Sequence, residues 1–595
     1  MSPRFTFGRS AVLTGILGAV ALVVASSQSP LTAASTTPVA DAAQHHDLAT
    51  VQKLVSNGTD VNAAQNDGLT ALHWAAIHDD VPMANVLLYA GADVSVATRV
   101  EGTTPLQIAA RDGSADMVEA LLTHHADAQS ANVHGTTALM LAAESGSVPA
   151  ITALLNAGAQ VNVREHVRGE TALMYAAAFG RADAVKVLMA HGADWKPTTG
   201  IFDWTKLKAG DVRLMPLGGG GPSKATTKNA KAEGGAEQVE QEAPAKTGDT
   251  DDKEDTEVLK DPRLRYPRLV GKQGGLSALL FAARQGYTDA AMALVAGGAD
   301  VNQADPGDDT TPLMIAIVNG HFDLAEKLLA SGADPNRAQT NGAAPLYAVL
   351  NCVWSPKTLY PQPTAYAQQQ TSYLQLMKDL LAHGAKPNVR LQKKVWYSGY
   401  NFDQSGLDET GATPFWRAAW ADDVDAMKLL MAHGADPRIA TRKVEERRRP
   451  GAPADAARAK DPSGLAPVPD GGPDVTPLLA ASGEAYGSSF TSNHHRYAPA
   501  GMLAAVKYLV EDLHADVNEV DADGNTALLN AASRGDNAMI LYLVSRGANV
   551  KAVNRRGQTA VDLANGPMQR ISPFPETMAL LQRLGAKLMH ACVSC

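Results

Sequence analysis

The sequence predicts an all-α repeat solenoid, on three observations: a short phrase recurs, its spacing is fixed, and a common helix-ending signal follows many copies. The phrase reads Thr70-Ala71-Leu72-His73, Thr104-Pro105-Leu106, Thr137-Ala138-Leu139, Thr171-Ala172-Leu173, Ser277-Ala278-Leu279 and Thr311-Pro312-Leu313. It continues as Ala344-Pro345-Leu346, Thr413-Pro414-Phe415, Thr476-Pro477-Leu478, Thr526-Ala527-Leu528 and Thr559-Ala560-Val561. Where nothing interrupts, successive copies stand 33 or 34 residues apart. A fixed period of this size indicates stacked supersecondary units rather than a globular enzyme.

Each element of a unit has a local reason. Asp67-Gly68 is a tight-turn signal. Thr70 is placed to cap a first helix through its hydroxyl. Pro105, Pro312, Pro414 and Pro477 occupy the next position, where a helix tolerates proline. Leu72 faces inward, and small Ala75 and Ala76 let neighbouring helices approach closely. A second helix carries Val86-Leu87-Leu88 and stops at Gly91, which suits a left-handed helix end. The same ending returns at Gly158, Gly192, Gly332, Gly384 and Gly547. Neither helix can bury its apolar face alone, and stacking on the next pair allows it. His125 and His514 replace the glycine in two units. A left-handed histidine there costs roughly 1 kcal/mol.

On these residues the chain resembles the ankyrin repeat family, whose unit is a β-turn and two helices with a T-P-L-H-x-A signature. The resemblance implies about twelve repeats with hairpin fingers between them. Repeats are expected over 41–196 and 273–590, around a polar, Gly-rich insert at 197–272. That insert contains Gly218–Gly221 and a Lys/Glu/Thr/Ala tract whose composition cannot bury a core, so much of it is expected to be disordered. Trp195, Phe202 and Trp204 at its start are expected to dock on the fifth repeat. Further inserts fall near 353–371, 390–410, 439–473 and 483–499, and the third of these, rich in Pro, Ala, Gly and charge, is expected to be mobile.

Length and charge set further bounds. A chain of 595 residues exceeds one ordinary domain, but a solenoid grows along one axis. Charged residues make up 19% and formal net charge is −10, which argues against nucleic acid as a partner. Residues 1–40 lack Asp and Glu before Asp41. Arg4 and Arg9 precede an apolar run from Ala11 to Ala25, then small residues, the layout of a secretory signal peptide over 1–34. The product is therefore expected to be exported, periplasmic or secreted, with no membrane association after cleavage. An uncleaved anchor is the alternative. Cys352, Cys592 and Cys595 form no disulfide framework, and Cys352 is expected to be a buried small hydrophobe.

The sequence contains no phosphate-binding loop, zinc-protease helix or serine elbow motif. Adjacent histidines on a helix, as in His45-His46 and His124-His125, point in different directions and are poor chelators. His494-His495 sits in a loop with Tyr497, where metal binding is the alternative to a solvated loop, and no metal is expected. His191, His383 and His433 precede the helix-ending glycine, where a histidine complements the helix dipole. The leading expectation is a non-catalytic scaffold, monomeric and without cofactor, that binds a partner protein on a concave face and finger loops. Residues 347–420 hold 12 of the 31 aromatic residues, so Trp396, Tyr397, Tyr400, Trp416 and Trp420 are the expected anchors. The alternative reading rests on the terminus Cys592-Val593-Ser594-Cys595, at 591–595. This resembles exported proteins in which such arrays meet a Cys-x-x-Cys-His segment, and implies haem c held by Cys592 and Cys595. The histidine that motif requires would come one position after Cys595, where the sequence ends, so on this reading the segment is expected to be cut off.

Overall fold

The computed structural model describes residues 37–206, 269–354, 364–395, 407–444, 461–484, 498–566 and 573–589. Among them run 24 helices in twelve antiparallel pairs. The first five pairs are Pro38–Gln44 with Leu48–Ser56, Ala71–Ile77 with Val81–Tyr89, Pro105–Asp112 with Ala115–Thr123, Ala138–Ser145 with Val148–Asn156, and Ala172–Ala178 with Ala182–Ala190. The sixth to ninth are Ala278–Gln285 with Thr288–Ala296, Pro312–Val318 with Phe322–Ala330, Pro345–Trp354 with Tyr373–Ala382, and Pro414–Trp420 with Val424–Ala432. The last three are Pro477–Ala481 with Gly501–Lys507, Ala527–Ser533 with Asn537–Ser545, and Ala560–Ala564 with Pro575–Arg583.

Local chemistry explains the helix ends. The hydroxyls of Thr311, Thr413 and Thr526 accept the backbone N–H three residues on, at 3.2–3.3 Å. At Thr70 the hydroxyl instead meets His73 Nδ1 at 2.9 Å, and His73 Nε2 lies 3.2 Å from the Thr103 carbonyl of the next repeat. His125 and His514 do adopt left-handed backbone, with φ of 66° and 57°. His191, His383 and His433 each turn Nδ1 to the carbonyl four residues back, at 2.8–2.9 Å, which fits their position at a helix C-terminus.

Stacking makes one continuous core. Each first helix packs on the first helix of the following repeat, from Pro38–Gln44 through to Ala560–Ala564. The fifth repeat packs directly on the sixth, although 70 residues of finger and insert lie between Thr205 and Leu276 in sequence. Leu72, Ala75 and Ala76 are fully buried, as are their counterparts Leu139, Ala142 and Ala143. Cys352 is half-buried against this core rather than enclosed by it.

Two polar ladders run along the stack. Asn62 donates its side-chain amide to the Gly91 carbonyl (3.2 Å) and accepts from Asp93 N (2.7 Å). Asn162, Asn302, Asn336, Asn388 and Asn518 repeat both bonds to the unit that follows. Gln129 bridges likewise to Gly158 and Gln160. The second ladder joins fingers through the main chain: Arg99 N to Asp67 O, Val133 N to Glu101 O, His166 N to His134 O, and Arg555 N to Asp523 O, at 2.8–3.1 Å.

The finger between repeats five and six is a two-stranded antiparallel hairpin. Its strands are β1 (Ile201–Asp203) and β2 (Lys272–Gly274). Trp195 packs against the core. Phe202 and Trp204 do not dock on the fifth repeat as expected. They belong to this hairpin, where Phe202 stays exposed and Trp204 Nε1 donates to Gln273 Oε1 at 2.9 Å. Strand pairing with 272–274 satisfies their backbone and holds them off the helices. The insert expected to be mobile over 439–473 is docked over 461–473. Lys443 exchanges backbone bonds with Gly471 and Gly472, and Arg555 pairs with Asp461.

Candidate functional site

One register position on the first helices, four residues after the capping residue, forms a row along the stack. In repeats two to seven it reads Trp74, Ile108, Leu141, Tyr175, Phe281 and Ile315. Trp74, Leu141, Tyr175 and Ile315 are only partly buried, and Ile108 and Phe281 lie beneath the surface between them. From repeat eight the row becomes Ala348, Arg417, Ala480 and Asn530, all buried, and ends at a partly buried Leu563 in repeat twelve. The apolar row with partly exposed side chains is therefore continuous only over repeats two to seven, and Leu563 stands apart from it at the end of the stack.

Polar groups orient this row. Trp74 Nε1 donates to Gln65 Oε1 at 2.9 Å, and its ring stacks on His78 with centroids 5.6 Å apart. The Arg284 guanidinium lies 5.1 Å from the Phe281 ring centre. Burial pushes the Tyr175 hydroxyl pKa up, with Glu170 adding to the effect. Burial likewise raises Glu170, against the pull of Arg168.

The fingers beside the row present a second apolar line. Val100, Val133 and Val167 at successive tips are 81%, 62% and 68% exposed. Side chains at the finger roots fix these tips. Asn132 Oδ1 accepts from His134 N and Thr136 N at 3.0 Å. Glu165 accepts from Val167 N, Arg168 N and Glu170 N at 2.5–3.0 Å. Burial opposes its charge, but the backbone donors outweigh it and hold the Glu165 carboxyl below the usual carboxylate range.

The expected aromatic anchors divide differently. Trp416 and Trp420 share one helix, with ring centroids 5.4 Å apart, but are 0% and 4% exposed. Trp416 donates Nε1 to the Val475 carbonyl at 2.9 Å, inside the joint with repeat ten. Arg417 packs its guanidinium 4.9 Å from the Trp420 ring centre. The expectation that these two tryptophans form a contact surface is therefore corrected: burial against the adjoining repeats removes them from it. Phe415 is core, as its register position implies. Trp396, Tyr397, Tyr400, Cys592 and Cys595 lie outside the described residues, as do the signal segment and His494-His495. Three other aromatics of this region pin structure. Trp354 Nε1 and the Tyr373 hydroxyl both donate to Asp423 Oδ2 at 2.9 Å, and Tyr366 stacks on Phe322.

Among the described residues no group of three or more His, Cys, Asp or Glu is placed to hold a metal ion. None of the described helices is long and apolar enough to cross a membrane.

The row at repeats two to seven escaped sequence reasoning because it is spread at one residue per 33 or so. Its signal was available as Trp74, Tyr175 and Phe281 standing four residues after each cap. Aromatic density instead drew attention to repeats eight and nine.

Comparison with known proteins agrees with this architecture. The profile described as "Ankyrin repeats (3 copies)" matches residues 16–98, 39–132, 92–165, 129–199 and 257–339. "Ankyrin repeats (many copies)" matches 494–544 and "Ankyrin repeat" matches 410–442. The chain is 42% identical over 87 residues to the nuclear factor NF-kappa-B p105 subunit of Gallus gallus, covering 14% of this chain and 9% of that protein. It is 43% identical over 77 residues to the potassium channel AKT3 of Oryza sativa subsp. japonica, covering 13% and 8%. It is 35% identical over 89 residues to the palmitoyltransferase Hip14 of Drosophila melanogaster, covering 15% and 14%. The chain thus spans under a sixth of the length of each of these relatives.

Proposed function

The chain belongs to the ankyrin repeat family, and from that premise we propose that it is a non-catalytic scaffold whose partner protein lies along repeats two to seven. Ankyrin repeats generally mediate protein–protein interaction, and their architecture is generally non-catalytic. The observation that carries the finer reading is the half-exposed row Trp74, Leu141, Tyr175 and Ile315 beside the exposed tips Val100, Val133 and Val167. Aromatic side chains with an apolar body and a polar tip are the usual anchors of interfaces. A stack that holds them in place before binding reduces the ordering entropy of association. Trp396, Tyr397 and Tyr400, in the segment joining repeats eight and nine, are proposed as a further contact of the same partner.

We propose in addition that the protein is exported, on the charge and apolar pattern of residues 1–34. N-terminal sequencing of protein purified from the native cell tests this: a start near residue 35 agrees with export and a start at Met1 opposes it. The binding reading is tested by affinity capture with the intact chain from the same compartment. A saturable protein partner is expected, and failure to retain any specific protein would count against it.

A further inference from the structure

Residues 461–468 lie across the fingers that follow them in the array; Lys443 Nζ donates to the Val468 carbonyl at 2.9 Å, and Arg555 holds the stretch before it. Arg555 Nη1 pairs with Asp461 Oδ2 at 2.5 Å and donates to the Leu465 carbonyl at 3.3 Å. Arg555 Nη2 donates to the Ala466 carbonyl at 2.5 Å. Both carbonyls are free to accept because this segment is neither helix nor strand. Arg555 is itself fixed from behind. Its Nε donates to the Ala522 carbonyl (2.7 Å) and its backbone N to the Asp523 carbonyl (2.9 Å). Leu465 covers Gly524: a Cβ on that glycine would stand 3.0 Å from Leu465 Cδ1. The fold thus contains a socket that grips an irregular peptide by one carboxylate, two carbonyls and an apolar side chain.

The same socket is built at the other end of the array. Arg99 follows Asp67 by the interval that separates Arg555 from Asp523, 32 residues in each case (67 to 99, 523 to 555). Arg99 N donates to the Asp67 carbonyl at 2.9 Å, and Arg99 Nη1 donates to the Asn66 carbonyl at 3.0 Å. Asn66 and Ala522 stand in the same place, each two residues before the turn glycine. Gly68 and Gly524 share left-handed backbone, with φ of 89° and 80°. Each packs against the arginine one finger on: a Cβ there would stand 2.8 Å from Arg99 N or 3.2 Å from Arg555 N. The copies differ in the anchoring nitrogen, Nε in Arg555 and Nη1 in Arg99, and in occupancy. Arg99 is exposed, and among the described residues its guanidinium has no carboxylate partner. Val100 beside it is left open to solvent.

We infer that the Arg99 finger edge is an open copy of the Arg555 socket and takes an irregular, extended segment of a partner protein with an acidic residue four positions before an apolar one. The spacing is that of Asp461 and Leu465 in the occupied copy. Charge-assisted pairing of the guanidinium with the carboxylate fixes the register, and the carbonyl bonds require a non-helical backbone. The inference rests on the reading of the chain as a protein-binding scaffold and names the chemistry of one part of the partner.

The test uses the intact chain and a fluorescent peptide with the sequence of residues 461–468. Anisotropy titration is expected to give saturable binding, weakened about tenfold or more by Arg99→Glu. It is also expected to weaken when the peptide's aspartate is replaced by lysine, and to persist in Arg555→Glu. Arg99 is exposed, so the variant's melting temperature should match that of the parent and a folding defect is separable. Absence of saturable binding, or equal binding by Arg99→Glu, would overturn the inference. If the peptide fails while the intact chain still captures a partner through its apolar row, the socket falls and the scaffold reading stands. If the peptide binds through Arg99 and no partner is captured, the reverse holds.

Discussion

Asp422 sits in the turn between the two helices of repeat nine, with φ of 57° and both carboxylate oxygens buried, with no hydrogen bond to them among the described residues. Burial pushes its pKa well above the ordinary 3.8, and the charge of Arg534 opposes this only in part. A folded-state pKa above the unfolded one means that the group's contribution is intact below the unfolded value and is lost as pH rises through the folded value. Asn tolerates left-handed backbone and carries no charge. Asp422→Asn is therefore expected to stabilise the chain at about pH 8 by roughly 1–3 kcal/mol, with the gain shrinking toward about pH 4. Melting curves at the two pH values check it. Glu519, which burial pushes up to about 7, acts in the same direction. His73 acts oppositely: burial lowers its pKa, so it remains neutral when folded and costs stability as pH falls below 6.5. The asparagine ladder gives a second residue-scale expectation. Asn302→Ala removes two inter-repeat bonds and is expected to cost about 1–2 kcal/mol in chemical denaturation. Ser95→Asn, at a position where the ladder is broken, is expected to add a few tenths of a kcal/mol or more.

At the scale of elements, the fingers and helix ends were open to reading from sequence, because their chemistry is local. Caps at Thr311 and Thr413, left-handed His125 and His514, and the dipole histidines follow from neighbouring residues alone. The docking of residues 461–473 was not legible, because it depends on Arg555, about 90 residues away. Composition marked that insert as polar, and the Arg555 guanidinium with three acceptors, together with the bonds from Lys443, orders part of it. The finger between repeats five and six yields a further prediction. Its strands β1 and β2 pair directly, and the helices of the two repeats pack on each other. Replacing residues 207–268 with a short Gly–Ser turn is expected to leave the thermal unfolding transition single. Splitting into two transitions would show that the insert is needed to couple the repeats.

At the scale of the whole molecule, twelve repeats form a stack in which each unit borrows its core from its neighbours. The period alone established that. The period did not say which stretch of the long face stays open. Residue identity at one register position decides it only together with what lies above. Trp416 and Trp420 look like surface anchors in the sequence and are buried, whereas Trp74 and Tyr175 occupy ordinary repeats and remain partly exposed. The most direct measurement compares partner capture by the intact chain with capture by the triple variant Trp74→Ser, Tyr175→Ser, Ile315→Ser. The account predicts that the variant keeps its helical content and loses the partner by about a hundredfold or more in affinity. Undiminished capture by a folded triple variant would contradict it and place the binding face elsewhere on the array.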